Sequence, residues 1–390
     1  MNKLFIIDYA CHPFSLDLAS SLAKKNISVT LFFSKNINLT GNFYKKFKSK
    51  NLNIVPIKTK FFYKYNFLSR RSSEIEFSKK IISYLKKEKP KKVLLANIPI
   101  DPLFKIIRYC KNNLIDRYYW VQDIYYLAIK NFFKKKNILI YIFGFLIFRI
   151  YKFYERYCFQ NSTANILIDK NFKKFFPKSN RNNYIVENWV PARSVKTISK
   201  NRILKKLKLK KKFTFIYTGT LSYKHHYENL INLAINNVNT QILILSKDKF
   251  IDKMKKIIKK KLIKNIKILN PVSYDELHNY LNIADVGLVN LNSDSNNVCV
   301  PSKILTYYAN SLPVLASMPL SNLASKNIVK YKTGLVSDPK STKLYLQNAI
   351  KLKNNIKLRK RLATNCKIYV KKNFNISIIR EKFLTILNIK

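Results

Sequence analysis

Two loops in the sequence have the composition of an anion-binding site. Gly219-Thr220-Leu221-Ser222-Tyr223-Lys224-His225-His226 lies between an apolar run, Phe213 to Thr218, and a helical pattern that starts near Tyr227. Only five glycines occur in 390 residues, so a glycine at this turn serves the backbone. Close approach of main-chain amides with a lysine nearby is what a diphosphate requires. Gly219, Thr220 and Lys224 are therefore candidates. The two histidines stand at no metal-ligand spacing, which leaves them as donors to a substrate or as surface residues. The second loop, Asn297 to Thr306, follows a strand and opens a helix, with Pro301 expected at the first helical position. The amides of Ser302 and Lys303 would then face an anion, the Lys303 side chain would add a full charge, and Thr306 joins the same candidate set.

Carboxylates are scarce, 20 against 75 basic side chains, so their positions are informative. Asp8, Asp101 and Asp123 each fall at or just after the expected end of a strand, where a parallel sheet gathers its functional groups on one rim. There they would accept from substrate hydroxyls, or share the proton of an attacking hydroxyl. Gln122 adjoins Asp123, and His12 follows Asp8 by four residues. The competing reading is that these aspartates cap the helices that follow. Neither a Walker sequence nor an Asp-x-Asp pair is present, and the five cysteines are scattered without close pairs. The chemistry expected is the binding of a departing diphosphate by fixed amides and lysines, with no metal and no cofactor.

These groups need a scaffold of parallel strands. Leu4 to Asp8, Val29 to Phe33, Lys92 to Ala96 and Tyr118 to Val121 read as strands separated by helical patterns, such as Ser15 to Lys25 with Leu18, Ala19, Leu22 and Ala23 on one face. A second series runs through Phe213 to Thr218, Ile242 to Leu245, Ile266 to Leu269, Val286 to Leu291, Pro313 to Ala316 and Gly334 to Val336. Alternation of this kind gives an α/β protein with two doubly wound, Rossmann-like domains in residues 1–190 and 191–374. Glu187-Asn188-Trp189-Val190-Pro191 and the lysine-rich run after it form the expected linker. A ligand cleft between the two domains is the expectation for this architecture.

The formal net charge of +55 excludes little by itself. Such a field draws a protein to membranes, nucleic acids or phosphorylated ligands. Lysine, asparagine and isoleucine are abundant everywhere, however, so codon bias in an A+T-rich genome accounts for much of it, with adhesion to anionic lipid as a by-product. The even spread of lysine and the lack of a nucleic-acid module speak against specific nucleic-acid binding. The apolar run after Lys3 is too short for a signal peptide, which predicts a cytoplasmic protein. Residues 134–152 contain a nearly unbroken apolar run, 138–148, flanked by cations. It is shorter than the roughly 20 residues of a membrane span and reads either as a helix on the anionic inner face of the membrane or as a buried core helix.

Taken together, Tyr217-Thr218-Gly219-Thr220-Leu221 with Lys224-His225, Ala284-Asp285-Val286-Gly287-Leu288, Val300-Pro301-Ser302-Lys303, Tyr307-Tyr308-Ala309 and Pro313-Val314-Leu315-Ala316 resemble bacterial glycosyltransferase family 4. Upstream, Cys11-His12-Pro13-Phe14, Ala96-Asn97-Ile98-Pro99, Trp120-Val121-Gln122-Asp123, Tyr154-Glu155-Arg156 and Asn188-Trp189 fit the same pattern. The subgroup it is most similar to builds surface polysaccharides and lipid-linked oligosaccharides.

The resemblance implies the GT-B fold, a nucleotide-diphosphate sugar as donor and a lipid-linked glycan as acceptor. It also implies retention of configuration, donor binding by the C-terminal domain and acceptor binding by the N-terminal domain. A last helix, residues 375–390, is expected to pack back on the N-terminal domain. In these terms Asp123 and Gln122 are the catalytic candidates, Gly219, Thr220, Lys224, Pro301, Ser302, Lys303 and Thr306 the donor side, and Asp8, His12 and Asp101 the acceptor side. Several departures stand out. Val298 and Thr306 occupy the places of a glutamate pair, Thr220 that of an arginine, Cys11-His12-Pro13 that of a glycine pair, and Gln122-Asp123 that of a histidine. A sugar-nucleotide epimerase of the same architecture and a basic nucleic-acid-binding protein are the alternatives.

Overall fold

The computed structural model describes residues 3–62, 66–133, 138–176, 182–191, 198–222, 225, 227–247, 249–295 and 300–389. The chain divides into two compact units, the first made of Met1–Pro191 and Asn375–Lys390, the second of Ala192–Asn296 and Val300–Phe374.

Unit 1 runs β1 (Lys3–Asp8), α1 (Pro13–Ala23), β2 (Ser28–Ser34), β3 (Leu52–Ile57), α2 (Phe67–Glu88), β4 (Lys92–Ala96), α3 (Ile100–Asn112), β5 (Asp116–Val121), α4 (Tyr125–Phe133), α5 (Ile138–Gln160), β6 (Ala164–Leu167) and β7 (Asn183–Ile185). The strands pair in the order β3-β2-β1-β4-β5-β6-β7, all in parallel. Helices cover both faces of such a sheet, which is why the central strands are unbroken apolar runs with Leu4 to Ile7 and Val93 to Ala96 fully buried. Pro13 opens α1, where a missing N–H costs nothing, and Asn26, at φ 60°, turns the chain into β2. Gly144 lets α4 lie close on α5, because a Cβ there would fall 2.2 Å from the Phe133 ring.

Unit 2 runs α6 (Lys200–Lys206), β8 (Thr214–Thr218), α7 (Glu228–Asn236), β9 (Gln241–Leu245), α8 (Lys249–Lys260), β10 (Ile266–Leu269), α9 (Leu277–Leu281), β11 (Val286–Asn290), α10 (Lys303–Ala309), β12 (Val314–Ser317), α11 (Leu323–Lys330), β13 (Gly334–Ser337), α12 (Thr342–Asn354) and α13 (Ile356–Asn373). Its parallel sheet has the order β10-β9-β8-β11-β12-β13. In both sheets the strand order reverses once, between β1 and β4 and between β8 and β11. Ligands of open α/β sheets bind beyond the carboxyl ends of the strands at such points.

The chain then returns to unit 1 as α14 (Ile376–Ile386). Asn375 caps it by accepting from the amides of Ser377 and Ile378. Phe383 inserts against Trp120 and Trp189, whose rings stack with centroids 5.7 Å apart, and Phe14 packs on both tryptophans. Arg380 donates to Ser21, and Tyr118 donates its hydroxyl to the Leu387 carbonyl at 3.1 Å. Among the described residues, no helix is long and apolar enough to cross a membrane.

Candidate active site

In unit 2 the candidate residues gather at the point of reversal. Gly219 follows β8 directly at φ +93°, a conformation that costs an L residue strain. Lys303, the first residue of α10, reaches back to it: a Cβ on Gly219 would stand 3.9 Å from Cε and 4.0 Å from Nζ of Lys303. The same Nζ lies 3.5 Å from the centroid of the Tyr217 ring, whose π face attracts a cation. Tyr217 in turn donates its hydroxyl to the Thr220 carbonyl and so pins the turn after Gly219. A second tyrosine ties α10 to the sheet. The Tyr307 hydroxyl accepts from the Thr218 amide at 3.0 Å and lies 3.3 Å from the Leu288 carbonyl, bridging β8 and β11. Burial pushes that hydroxyl up to about 12, so it remains protonated and able to donate. Gly287 leaves room for the ring, since a Cβ there would fall 2.5 Å from it.

The Ser222 amide donates to His225 Nδ1 at 3.0 Å. A neutral His225 therefore carries its proton on Nε2, as a donor does. Lys224 lies outside the described residues, as do His226 and the stretch 296–299 that contains Val298.

The second loop differs from expectation. Pro301 is not the first helical residue: α10 begins at Lys303, with Ser302 as its N-cap. Ile304 N–H bonds to the Pro301 carbonyl and Leu305 N–H to that of Ser302, so the chain enters through a tight three-residue spacing. With seven residues, α10 offers no dipole site of note. The positive charge here is the Lys303 side chain itself, with half-buried Thr306 one turn further along.

In unit 1 Asp8 is fully buried and already engaged. Its carboxylate accepts from the amides of Ala10 and His12, from His12 Nδ1 at 2.9 Å and from the Ser15 hydroxyl. Burial works to raise its pKa, but the charge and hydrogen bond of His12, with the bonds from Ser15 and the His12 amide, outweigh it and hold the carboxyl below the usual range. Asp8 therefore does what a loop cap does, and it orients His12. The imidazole is partly exposed and stacks on Phe14.

The position of Asp101 differs from the sequence reading, while Gln122 stands just after β5 as expected. Asp101 is not at the end of a strand. It sits in the first turn of α3, buried, where it accepts from Arg71 at 3.2 and 3.3 Å and from the Tyr151 hydroxyl. Gln122, buried after β5, exchanges amide hydrogen bonds with Asn188, the Gln122 donation measuring 3.2 Å. That pair joins two of the motifs quoted above, and Asp123, next in sequence, is half-buried.

One residue close to Asp123 carried no expectation from the sequence. Glu155 of α5 is completely buried and accepts from the amides of Tyr125 and Tyr126 at 3.1 and 2.8 Å, capping α4 from a distance in sequence. Burial raises its pKa to about 8, opposed by those two amides and reinforced by the charge of Asp123. The signal available was its place in Tyr154-Glu155-Arg156. Among the described residues, no three histidine, cysteine, aspartate or glutamate side chains cluster as metal ligands.

The molecule is similar in structure to sucrose-phosphate synthase from Thermosynechococcus elongatus, with a TM-score of 0.75 and 10% identity over 99% of this chain and 98% of that one. It is also similar to Anabaena HepE in complex with UDP-glucose, with a TM-score of 0.72 and 10% identity over 99% of each chain. A glycosyltransferase from Rickettsia africae ESF-5 gives a TM-score of 0.67 at 13% identity, over 99% and 97% of the two chains. No protein of curated function matches the sequence. The fold is thus α/β with two parallel sheets of the GT-B type, and residues 199–368, most of unit 2, match the family described as glycosyl transferases group 1.

Proposed function

We propose that the protein is a glycosyltransferase. In this reading it moves a sugar from a nucleotide-diphosphate sugar held by unit 2 to a lipid-linked or surface-polysaccharide glycan held by unit 1, on the inner face of the plasma membrane. The observation that carries the reading is the Lys303 ammonium held against the backbone of Gly219 at the β8/β11 reversal. The group 1 match over unit 2 supports it, as do the UDP and UDP-glucose in the two Anabaena HepE complexes of similar fold.

When the bond between the anomeric carbon and the diphosphate breaks, its electron pair leaves with the diphosphate. A fixed cation and backbone amides stabilise that charge without reorganising, so no divalent metal enters the scheme. Lys303 is the cation, and Gly219 with Thr220 supplies close main chain. Lys224, Ser302 and Thr306 complete the donor side, and His225 adds a donor from Nε2. The acceptor oxygen bonds to the anomeric carbon on the face the diphosphate leaves, which retains configuration, and its proton passes to a diphosphate oxygen. Asp123 positions that acceptor hydroxyl from the rim of unit 1, and His12, set by Asp8, contacts the acceptor.

The test is a thermal-shift screen against UDP, GDP, CMP, TDP and ADP without added metal. A ligand at 100 times its dissociation constant stabilises a protein by about 2.7 kcal/mol. One nucleotide should raise the melting temperature, and Lys303→Ala should abolish the shift. No shift with any of the five would overturn the donor site. Incubation with donor sugar alone should leave the sugar unchanged, whereas epimerised product would replace a transferase by an epimerase.

A further inference from the structure

We propose that the outer face of α5 docks the protein on a bilayer of anionic lipid. This names the surface behind the membrane location proposed above. It does not need the transfer reaction, and its test contains no assay of activity.

Four bulky apolar side chains on this helix stand in water: Phe145 (46% exposed), Leu146 (58%), Ile150 (49%) and Phe153 (60%). At 100° per residue they fall with Arg149, Lys152 and Arg156 inside about 160° of arc, a continuous stripe more than two turns long. The opposite side of the helix faces inward, with Glu155, Cys158 and Phe159 buried. Glu155 is the one carboxylate between residues 125 and 160, so the outer face carries no negative charge at all.

The cations crowd together on this stripe and its neighbour α4. Lys152 has its pKa lowered by burial and by the charges of Arg156, Lys130 and Arg149. Lys130 and Lys152 both lie over the Phe148 ring, at 5.5 and 5.7 Å, and Arg149 lies over Phe145 at 5.9 Å. Mutual repulsion of this kind is relieved by anions in the plane beside the stripe, while the apolar side chains gain by leaving water. A phosphate-bearing lipid surface supplies both. A nucleic acid supplies only the anions, and a protein partner would need an acidic rim around an apolar groove. The long basic side chains can lay their stems along the apolar stripe and extend their charges to the head groups.

The experiment mixes the whole chain with vesicles of phosphatidylglycerol and phosphatidylcholine, or of phosphatidylcholine alone, and sediments them. Binding is expected only to the anionic vesicles. Changing Arg149, Lys152 and Arg156 to Gln together should lower the partition coefficient roughly a hundredfold, about fivefold per charge. Phe145→Gln with Phe153→Gln keeps the charge and should lower it by about tenfold or more. Phe153→Trp should shift its emission to the blue on anionic vesicles, a readout that survives even if the polar variants fold poorly. Unchanged binding in both multiple variants would overturn the proposal in favour of the charge spread over the whole chain. So would a Trp at 153 that stays in water, loss of vesicle binding to a competing oligonucleotide through the same residues, or a soluble dimer that the Phe variants dissociate.

Discussion

The Lys303 ammonium sits 3.5 Å from the centre of the Tyr217 ring, on the side of the turn where Gly219 leaves the backbone bare. The ring holds the cation in place, because an aromatic face attracts an ammonium. Replacing Lys303 by Ala should lower kcat/KM by a factor on the order of 100 to 1,000, the usual cost of removing one preorganised stabiliser of a leaving group. Steady-state kinetics with the donor identified by thermal shift checks this. A loss confined to KM would mean that Lys303 binds the donor without assisting bond cleavage.

Gly219→Ala should cost stability of about 1 to 2 kcal/mol, since φ +93° is strained for any residue with a Cβ. The methyl group would also stand at ordinary contact distance from Lys303 Nζ, where a phosphate would come. Denaturant unfolding and the nucleotide thermal shift should therefore both fall. Retention of full nucleotide binding would separate the turn from the donor site.

Asp8 should matter most above the acid range. Its folded pKa lies below the ordinary aspartate value of 3.8, so its contribution is present above about that pH and is lost as the pH falls through the lower folded value. Asp8→Asn should destabilise at pH 7 by about 1 to 3 kcal/mol, because the partly exposed His12 and the buried Ser15 lose a charged acceptor. The difference from the parent should shrink towards pH 3. Melting curves across that range decide it.

Glu155 should behave in the opposite sense. A carboxyl whose folded pKa is raised from 4.5 to about 8 keeps its proton in the folded chain and loses it in the unfolded one across that window, so stability falls as the pH rises between those values. Glu155→Gln removes the titration while keeping an acceptor for one of the two amides. The stability difference between pH 5 and pH 8 should be smaller in the variant than in the parent. An equal or larger difference would place the titration elsewhere.

The chain has two tryptophans, and both lie in the cluster that Phe383 completes. Phe383→Ala should cost about 3 to 5 kcal/mol, the usual range for deleting a buried phenyl group, and should shift tryptophan emission to the red. Unshifted emission with lost stability would mean that α14 stays docked and the cavity is local.

The strands were legible in the sequence because strands covered on both faces are nearly unbroken apolar runs, and β4 lies where the sequence places it. The carboxylates were less legible. Asp8 has its partners His12 and Ser15 four and seven residues on, so its capping role was within reach of a local reading. Gln122 was not, since nothing local reveals that Asn188 faces it across 66 residues. Asp101 was less closely placed, because the sequence shows that it follows β4 but not that α3 begins at Ile100 and takes it into the first helical turn. Glu155 was invisible as a cap because the helix it serves begins thirty residues earlier.

The return of α14 has a consequence for synthesis. Trp120 and Trp189 are made early, but the phenyl ring that closes over them is encoded after the whole of unit 2. A growing chain can complete the sheet of unit 2 while the aromatic pocket of unit 1 is still open on one side. Unit 1 is therefore finished after unit 2, and a chain stalled before residue 375 carries an exposed pair of indoles, a surface that aggregates or recruits a chaperone.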